Sequence, residues 1–406
     1  MSAEPHVVPV DVAVFGGGVA GLWLLGRLRA EGYRAVLLEA NALGSGQTRY
    51  AQGILHGGTK YALTGKLSDS AQAVAAMPGL WRDCLDGKGE LDLTRVRVLS
   101  PNQFLWSTAN LTSRMAGFFA SRLMRGRTES LPEMERPPVF RHSGFRGQVY
   151  RLDEPVLDTA SLIEALSAPH RDSLIKYEWP QGFHLSRCDA DWRIDLHDGN
   201  GQQLRVEAKR LVLTAGRGNR DLLEAAGYTR PEMQLRPLVM VAARGKLPEG
   251  VYAHCLGASS NPRITISTHR DADGRVVWYL GGQLAEEGVG RTREEQIAAA
   301  QRELHMLLPW VDQNGLEWTT LDIERAEPLM PDGRRPDTAF AGLVDSLIAA
   351  WPTKLVLAPR LAADILRMLK DAGVVPQTDR KTAEVPEAWP RPVQAPLPWQ
   401  EESRWS

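Results

Sequence analysis

Val10-Asp11-Val12-Ala13-Val14-Phe15 is a short apolar run rich in β-branched residues, the pattern of a buried strand. It runs directly into Gly16-Gly17-Gly18-Val19-Ala20-Gly21, after which Leu22, Leu24, Leu25 and Leu28 recur at helical spacing up to Gly32. A second apolar strand, Ala35–Leu38, ends at Glu39. Farther along, Asp158–Leu166 patterns as an amphipathic helix, Trp192–Leu196 alternates as a strand, and Arg210–Leu213 is an apolar strand entering Thr214-Ala215-Gly216. Leu238–Ala242, Arg263–Thr268 and Val276–Gly281 suit a mixed or antiparallel sheet with one solvated or cavity-facing side. Ser346–Trp351 reads as a strand, and Thr353–Leu369 as a loop leading into a helix. Beyond about residue 375, Pro386, Pro390, Pro392, Pro396 and Pro398 alternate with Trp389, Trp399 and charged residues. That composition predicts an extended, non-helical tail that wraps the body or serves as a partner-docking arm.

The 406 residues exceed the ~250–300 at which one hydrophobic core stops growing, so two domains are expected. Hydrophobic residues at 43% and charged residues at 24% exclude wholesale disorder. Lys and Arg number 48 against 49 Asp and Glu, a balance that argues against phosphate-driven nucleic-acid binding. Cys84, Cys188 and Cys255 show no CxxC and no zinc spacing, so no metal site is predicted and a reducing compartment is expected. No apolar run reaches the ~18–20 residues that span a bilayer. Glu4 and Asp11 bracket only a short apolar piece, so a cytoplasmic chain without a transmembrane segment is the expectation. G-x-S-x-G, H-E-x-x-H and Walker patterns are absent, which leaves hydrolase, zinc and triphosphatase readings without support.

Strand, glycine turn, helix, strand and acid together specify a dinucleotide site. Gly16 permits the tight turn, Gly18 lets a pyrophosphate reach the backbone, and Gly21 lets the helix pack close to the sheet. The helix N-terminus offers N–H groups and the positive end of its dipole to the diphosphate. Glu39, 21 residues after Gly18, is placed to accept hydrogen bonds from the ribose hydroxyls. FAD and NAD both use this turn. The Gly44–Gly58 segment, with Ser45 and Thr48, is a Gly/Ser/Thr-rich loop that fits a path beneath the second phosphate and along a flavin ring.

With this loop the chain resembles the D-amino-acid-oxidase-like superfamily of FAD-dependent oxidoreductases. Its relatives include glycine and sarcosine oxidases, 2-hydroxyglutarate oxidases and FAD-linked glycerol-3-phosphate dehydrogenases. Gly53-Ile54-Leu55-His56-Gly57-Gly58 is most similar to the glycerophosphate and hydroxyglutarate branches. One departure is Leu25, with Gly26 after it, where the family has a small residue; it implies a slightly rotated or displaced helix. The resemblance implies that Leu211–Gly216 abuts the nucleotide, with Gly216 small enough for close approach. Ile323–Pro328 and Pro331–Asp337 resemble the closing segment, and Trp351-Pro352-Thr353-Lys354 its final loop. Thr353 and Lys354 would then lie at the pyrimidine end of the flavin, where a positive group stabilises charge on the reduced ring.

The strand and helix patterns together with the resemblance imply an α/β fold: a Rossmann-like FAD-binding domain with, as in the family, a second α+β substrate domain built on a mixed or antiparallel sheet. Residues 1–87, 156–230 and 323–375 are expected to form the discontinuous FAD domain, 88–155 and 231–322 the substrate domain, and 376–406 the Pro/Trp-rich tail. The expected activity is hydride removal from the C–N bond of a small amine or amino acid to flavin N5. Oxidation of a hydroxyl substrate, 2-hydroxy acid or glycerol-phosphate-like, is the nearest alternative. A non-catalytic flavoprotein with a docking tail and an NAD(P)-dependent dehydrogenase complete the set. Oxygen, a quinone or a protein would reoxidise the flavin. His56 is the candidate base, because a histidine titrates near neutrality and an alcohol must lose a proton as hydride leaves. A packing role or a covalent flavin anchor is open to it as well. For an anionic substrate the candidates are Arg49, Arg263, Arg270 and Arg325, with Arg270 chosen because Arg270–Arg275 resembles a carboxylate-binding segment of the amine-oxidase branch.

Overall fold

The computed structural model describes residues 4–57, 69–108, 128–256, 261–333, 336, 338–376 and 383–405. Gly58, Arg334, Arg335 and Asp337, which belong to the motifs above, lie outside them. In chain order the first strands are β1 (His6–Phe15), β2 (Ala35–Glu39), β3 (Val98–Ser100), β4 (Gln103–Ser107), β5 (Thr128–Ser130) and β6 (Gln148–Leu152). Then come β7 (Val156–Leu157), β8 (Leu174–Lys176), β9 (Phe183–Cys188), β10 (Asp191–His197), β11 (Gln203–Leu213) and β12 (Met233–Gly245). The last are β13 (Tyr252–Cys255), β14 (Ile264–Arg270), β15 (Val276–Gly281), β16 (Glu317–Pro328), β17 (Phe340–Val344) and β18 (Leu347–Trp351). The helices are α1 (Val19–Ala30), α2 (Asp69–Leu85), α3 (Thr159–Ser167), α4 (Asn219–Ala225), α5 (Gln283–Glu287), α6 (Arg293–Leu307) and α7 (Ala358–Asp371).

The architecture is α/β, with two large sheets. The first runs β17-β18-β11-β1-β2-β8, with β10 and β9 added beside β11. β18, β11, β1, β2 and β8 are mutually parallel, so their carboxyl ends open at one edge, where Phe15 pairs with Leu213 and Leu213 with Ala349. Alternation along β1 sends Val12 and Val14 into one core with α1 and α7, and Ala13 and Phe15 into the other. A strand buried on both faces must be apolar throughout, which is why Val10–Phe15 is legible as a run rather than as an alternation.

The second sheet, β16-β12-β15-β14-β13-β4-β6-β5, is antiparallel apart from the β13–β4 pair. Val241, Ala243, Ile264, Ile266, Trp278 and Leu280 bury one face against Ala300 and Leu304 of α6. The opposite face presents Met240, Ala242, Val277, Tyr279, Leu321 and Ile323. β16 pairs with β12 from Arg244↔Glu317 to Met233↔Pro328 without a break. The boundary expected at residue 323 therefore falls inside a strand: the pairing of β16 with β12 runs through it and commits the whole strand to the second sheet.

The tail lies on the body. Leu43 N–H donates to the Val393 carbonyl (2.8 Å) and Ala395 N–H to that of Leu43 (3.0 Å), while the Trp389 indole donates to the Lys176 carbonyl (3.0 Å). Trp389 and Trp399 are buried, so the tryptophans that suggested a docking arm are core residues instead. Short 3-10 turns at Pro398–Gln400 and Glu402–Arg404 interrupt the extended path expected of the tail.

Candidate functional site

The glycine turn sits where β1 meets α1. Gly16 has φ +101°, and a Cβ there would meet the Ala215 backbone at 2.6 Å, so the turn requires glycine. A Cβ on Gly21 would lie 2.0 Å from the Gly16 carbonyl oxygen and 2.7 Å from Thr214 Oγ1. This closeness brings the end of β11 against the turn; Thr214 Oγ1 also donates to the Phe15 carbonyl (2.8 Å). Gly18 caps α1 without a side chain, and the first turn of α1 carries no acidic residue, so its positive end is not neutralised from within. Glu39 is buried and accepts from Gly17 N–H (2.6 Å) and Asn41 N–H (2.7 Å). Burial pushes its carboxyl above the usual value, opposed by those two N–H groups and by Lys176.

The loop after β2 is tied both to the glycine turn with α1 and to the second sheet. Thr48 Oγ1 accepts Val19 N–H (3.2 Å) at the start of α1, Gly44 N–H donates to the Gly17 carbonyl (2.8 Å), and half-buried Ser45 donates its N–H to Ala42 (3.0 Å). Gln47 Oε1 accepts Ala326 N–H from β16 (3.0 Å), and Gln52 Nε2 donates to the Tyr279 carbonyl (3.0 Å). Beyond the left-handed Gly53, His56 stacks on the ring of buried His254 of β13, with centroids 5.1 Å and planes 29° apart. His56 Nδ1 lies 4.0 Å from Glu154 Oε2, a carboxylate that is itself buried.

The third piece closes beside β11. Trp351 Nε1 donates to the carbonyl of Gly216 (3.1 Å), which has φ +60°. Asn219 is fully buried: its Oδ1 accepts Ala215 N–H (2.7 Å) and its Nδ2 donates to the Leu213 and Ala350 carbonyls (3.2 and 3.1 Å). Thr353 holds φ +61°, a left-handed conformation costly for a β-branched residue, and its hydroxyl donates to the Thr338 carbonyl (3.1 Å). Lys354 follows, half-buried, in the turn that enters α7. Gly16, Gly18, Gly21, Glu39, Thr48, Gly216, Thr353 and Lys354 thus gather at the carboxyl edge of the parallel strands, the position where open α/β sheets bind ligands.

Arg270 is not among them. It is exposed at the end of β14, bonded to Glu249 (2.7 Å) and to the Gly274 carbonyl (2.6 Å). Strand alternation is the reason: Thr265, Ser267 and His269 share the face on which Thr265 meets His254 and Ser267 meets Gln52, and Arg270 has the opposite parity. Arg263, immediately before β14, pairs with Glu303 of α6, and Arg49 with Glu401 of the tail. Arg325 of β16 has the parity of Leu321 and Ile323 and stands opposite Arg236, whose carbonyl accepts its Nε (3.4 Å). Gln47, Glu154, Asn219, Arg236 and His254 have no local motif and are functional candidates only through their placement. Burial pushes the Cys255 thiol up to about 12, the property of an inert packed cysteine.

The glycine cradle, the α1 terminus with no acidic residue in its first turn and the buried acid at the β2 end fit a dinucleotide such as FAD, with the closing turn beyond them for its ring. Comparison with known proteins agrees. The family model "DAO: FAD dependent oxidoreductase" matches residues 11–344. A probable FAD-dependent oxidoreductase of Pseudomonas aeruginosa is 44% identical over 397 residues, covering 98% of this chain and 99% of the relative. The crystal structure of the P. aeruginosa FAD dependent oxidoreductase superposes with a TM-score of 0.83 at 40% identity, covering 98% and 99% of the two chains. Glycine oxidase from Geobacillus kaustophilus has a TM-score of 0.61 at 16% identity, covering 91% of this chain and 99% of the other. FAD-bound L-alpha-glycerophosphate oxidase from Mycoplasma pneumoniae has 0.61 at 11%, covering 96% and 99%.

Proposed function

The chain belongs to the DAO family of FAD-dependent oxidoreductases, and on that premise we propose that it oxidises the carbinol carbon of a small anionic hydroxyl compound, with His56 as the base. FAD, when bound, supplies the two-electron acceptor. The glycine turn and the α1 terminus would hold its diphosphate, Glu39 its ribose, and Gly216, Thr353 and Lys354 would stand along its ring. The observation that carries the reading is His56, its side chain 45% exposed on the loop that joins both sheets, with buried Glu154 behind it. An alcohol must surrender its O–H proton as the carbonyl forms, whereas a neutral amine needs no such base. Nδ1 is the ring nitrogen near Glu154, which leaves Nε2 to take that proton. Arg325 and Arg236, cross-strand neighbours on the same face as Ile323, would receive the anionic group of the substrate.

The amine reading stands second. The shared fold with glycine oxidase favours it, and a C–N substrate could use the same arginines for its carboxylate. Anaerobic stopped-flow bleaching of the flavin separates the two. With glycerol 3-phosphate, 2-hydroxyglutarate, glycine and sarcosine as probes, we expect a hydroxyl compound to bleach fastest. His56→Gln is expected to slow that reaction by about 100-fold or more. Bleaching by the amines alone would overturn the first reading in favour of the second.

A further inference from the structure

We propose that Glu154 is a positioning residue for His56, holding its imidazole in the Nδ1–H tautomer so that Nε2 accepts the substrate proton; the functional consequence rests on the reading of His56 given above. Glu154 sits in the turn between β6 and β7, far in sequence from the loop that carries His56, and is almost fully buried. Its two oxygens are set by neutral donors. Oε1 accepts the N–H of Gly57 at 2.6 Å, and Oε2 accepts Nε2 of Gln103, which is buried on β4. The first bond fastens the carboxylate to the residue next to His56, so the loop backbone and the carboxylate move together. The second aims Oε2, the oxygen 4.0 Å from His56 Nδ1.

The ring plane has its own support. His254 stacks on His56, and His254 Nδ1 is bonded to Thr265 Oγ1 at 2.7 Å, which prevents the supporting ring from turning. The His56 ring therefore has His254 against its face and a fixed acceptor near Nδ1. A carboxylate that accepts from one imidazole nitrogen determines which tautomer is present, and it stabilises the imidazolium formed when the other nitrogen takes a proton. The 4.0 Å separation has to shorten by about 1 Å for a full hydrogen bond, a tightening common when substrate closes on a catalytic histidine. In the balanced step the substrate O–H proton moves to Nε2, Nδ1 keeps its hydrogen and donates it to Glu154, and the carbinol hydride would pass to the bound FAD, the two-electron acceptor of the proposed function.

The test uses FAD-loaded, full-length protein labelled with 15N in its histidines, with the His56 signals assigned by their loss in His56→Gln. In wild type we expect the shifts of a protonated Nδ1 and an unprotonated Nε2. Glu154→Gln keeps an oxygen for Gly57 N–H but presents no anion to Nδ1. It should populate the opposite tautomer and lower the rate of flavin bleaching by 2-hydroxyglutarate or glycerol 3-phosphate by about 10- to 100-fold, with the KM little changed. Glu154→Asp should restore the wild-type tautomer in part. Unchanged His56 signals in a folded, flavin-replete Glu154→Gln protein would overturn the proposal. A tautomer shift with no change in bleaching would uphold the positioning and instead remove His56 as the base.

Discussion

The indole of Trp399 stacks on the imidazole of His269, with ring centroids 4.1 Å and planes 27° apart. His269 lies on β14 of the second sheet and Trp399 near the chain terminus, so the stack joins the tail to the same sheet face that carries Tyr279 and Met240. Burial holds the His269 imidazole down to about 3, so the contact is between neutral rings across the working range. Trp399→Ala should destabilise the protein by about 3–5 kcal/mol, the usual cost of deleting a buried tryptophan. Denaturant unfolding followed by tryptophan emission would measure it, and a change under about 1 kcal/mol would show that the tail does not support the sheet.

Gly21→Ala places a methyl group against the Gly16 carbonyl and Thr214 at once. Neither neighbour is the flexible end of a long side chain, so α1 must move away from the turn. The purified variant should carry well under half the wild-type flavin, read as the ratio of absorbance at the flavin band to that at 280 nm.

Arg325→Ala should raise the KM for an anionic hydroxyl substrate by about 10- to 100-fold, the loss expected for a charge-assisted bond. Arg270→Ala, remote and paired with exposed Glu249, should stay within about twofold of wild type. Steady-state kinetics on both variants decides between the two arginines.

Lys354→Met removes a positive charge from the closing turn. If the ring lies against that turn, the flavin midpoint potential should fall by about 30–60 mV, equivalent to roughly 1.4–2.8 kcal/mol for two electrons. Spectroelectrochemical titration would show it, and an unmoved potential would place Lys354 away from the ring.

The tail should release in acid. Burial acts upward on Glu401, but Arg49 and Arg404 outweigh it and hold its carboxyl below the ordinary value of 4.5. Arg244 does the same for Glu402, whose Oε2 lies 2.6 Å from Arg244 Nη1. A carboxyl whose folded value is depressed contributes in full above the unfolded value and loses that contribution as pH falls through the folded one. Docking should therefore be complete at pH 7 and weaken below roughly pH 4. Proteolysis by an acid-active protease, compared between wild type and Glu402→Gln, should find the variant tail cut at higher pH.

Much of the first sheet was legible because its demands are local. A left-handed Gly16, a Gly21 with no room for Cβ and an apolar β1 each leave a signature within a few residues. Thr214-Ala215-Gly216 could be read for the same reason. The partners of His56 could not, since Glu154, Gln103 and His254 come from three distant stretches and meet only through sheet pairing. Arg270 misled because a likeness in local sequence carries no strand parity, and parity decides which face a side chain serves. The tail tryptophans misled in a related way: proline spacing forbids a long helix but does not say what the indoles touch. α2, α4, α5 and α6 have no counterpart among the sequence expectations; α6 is mostly polar around its circumference and buries only a few side chains, such as Ala300 and Leu304.

β11 lies between the first strand of the chain and the last, β1 on one side and β18 on the other. On a ribosome, the ligand edge therefore stays unfinished until nearly the entire polypeptide has emerged, and the tail that straps Leu43 emerges later still. The sheet that carries the ligand edge is thus completed only after every strand of the second sheet has been made.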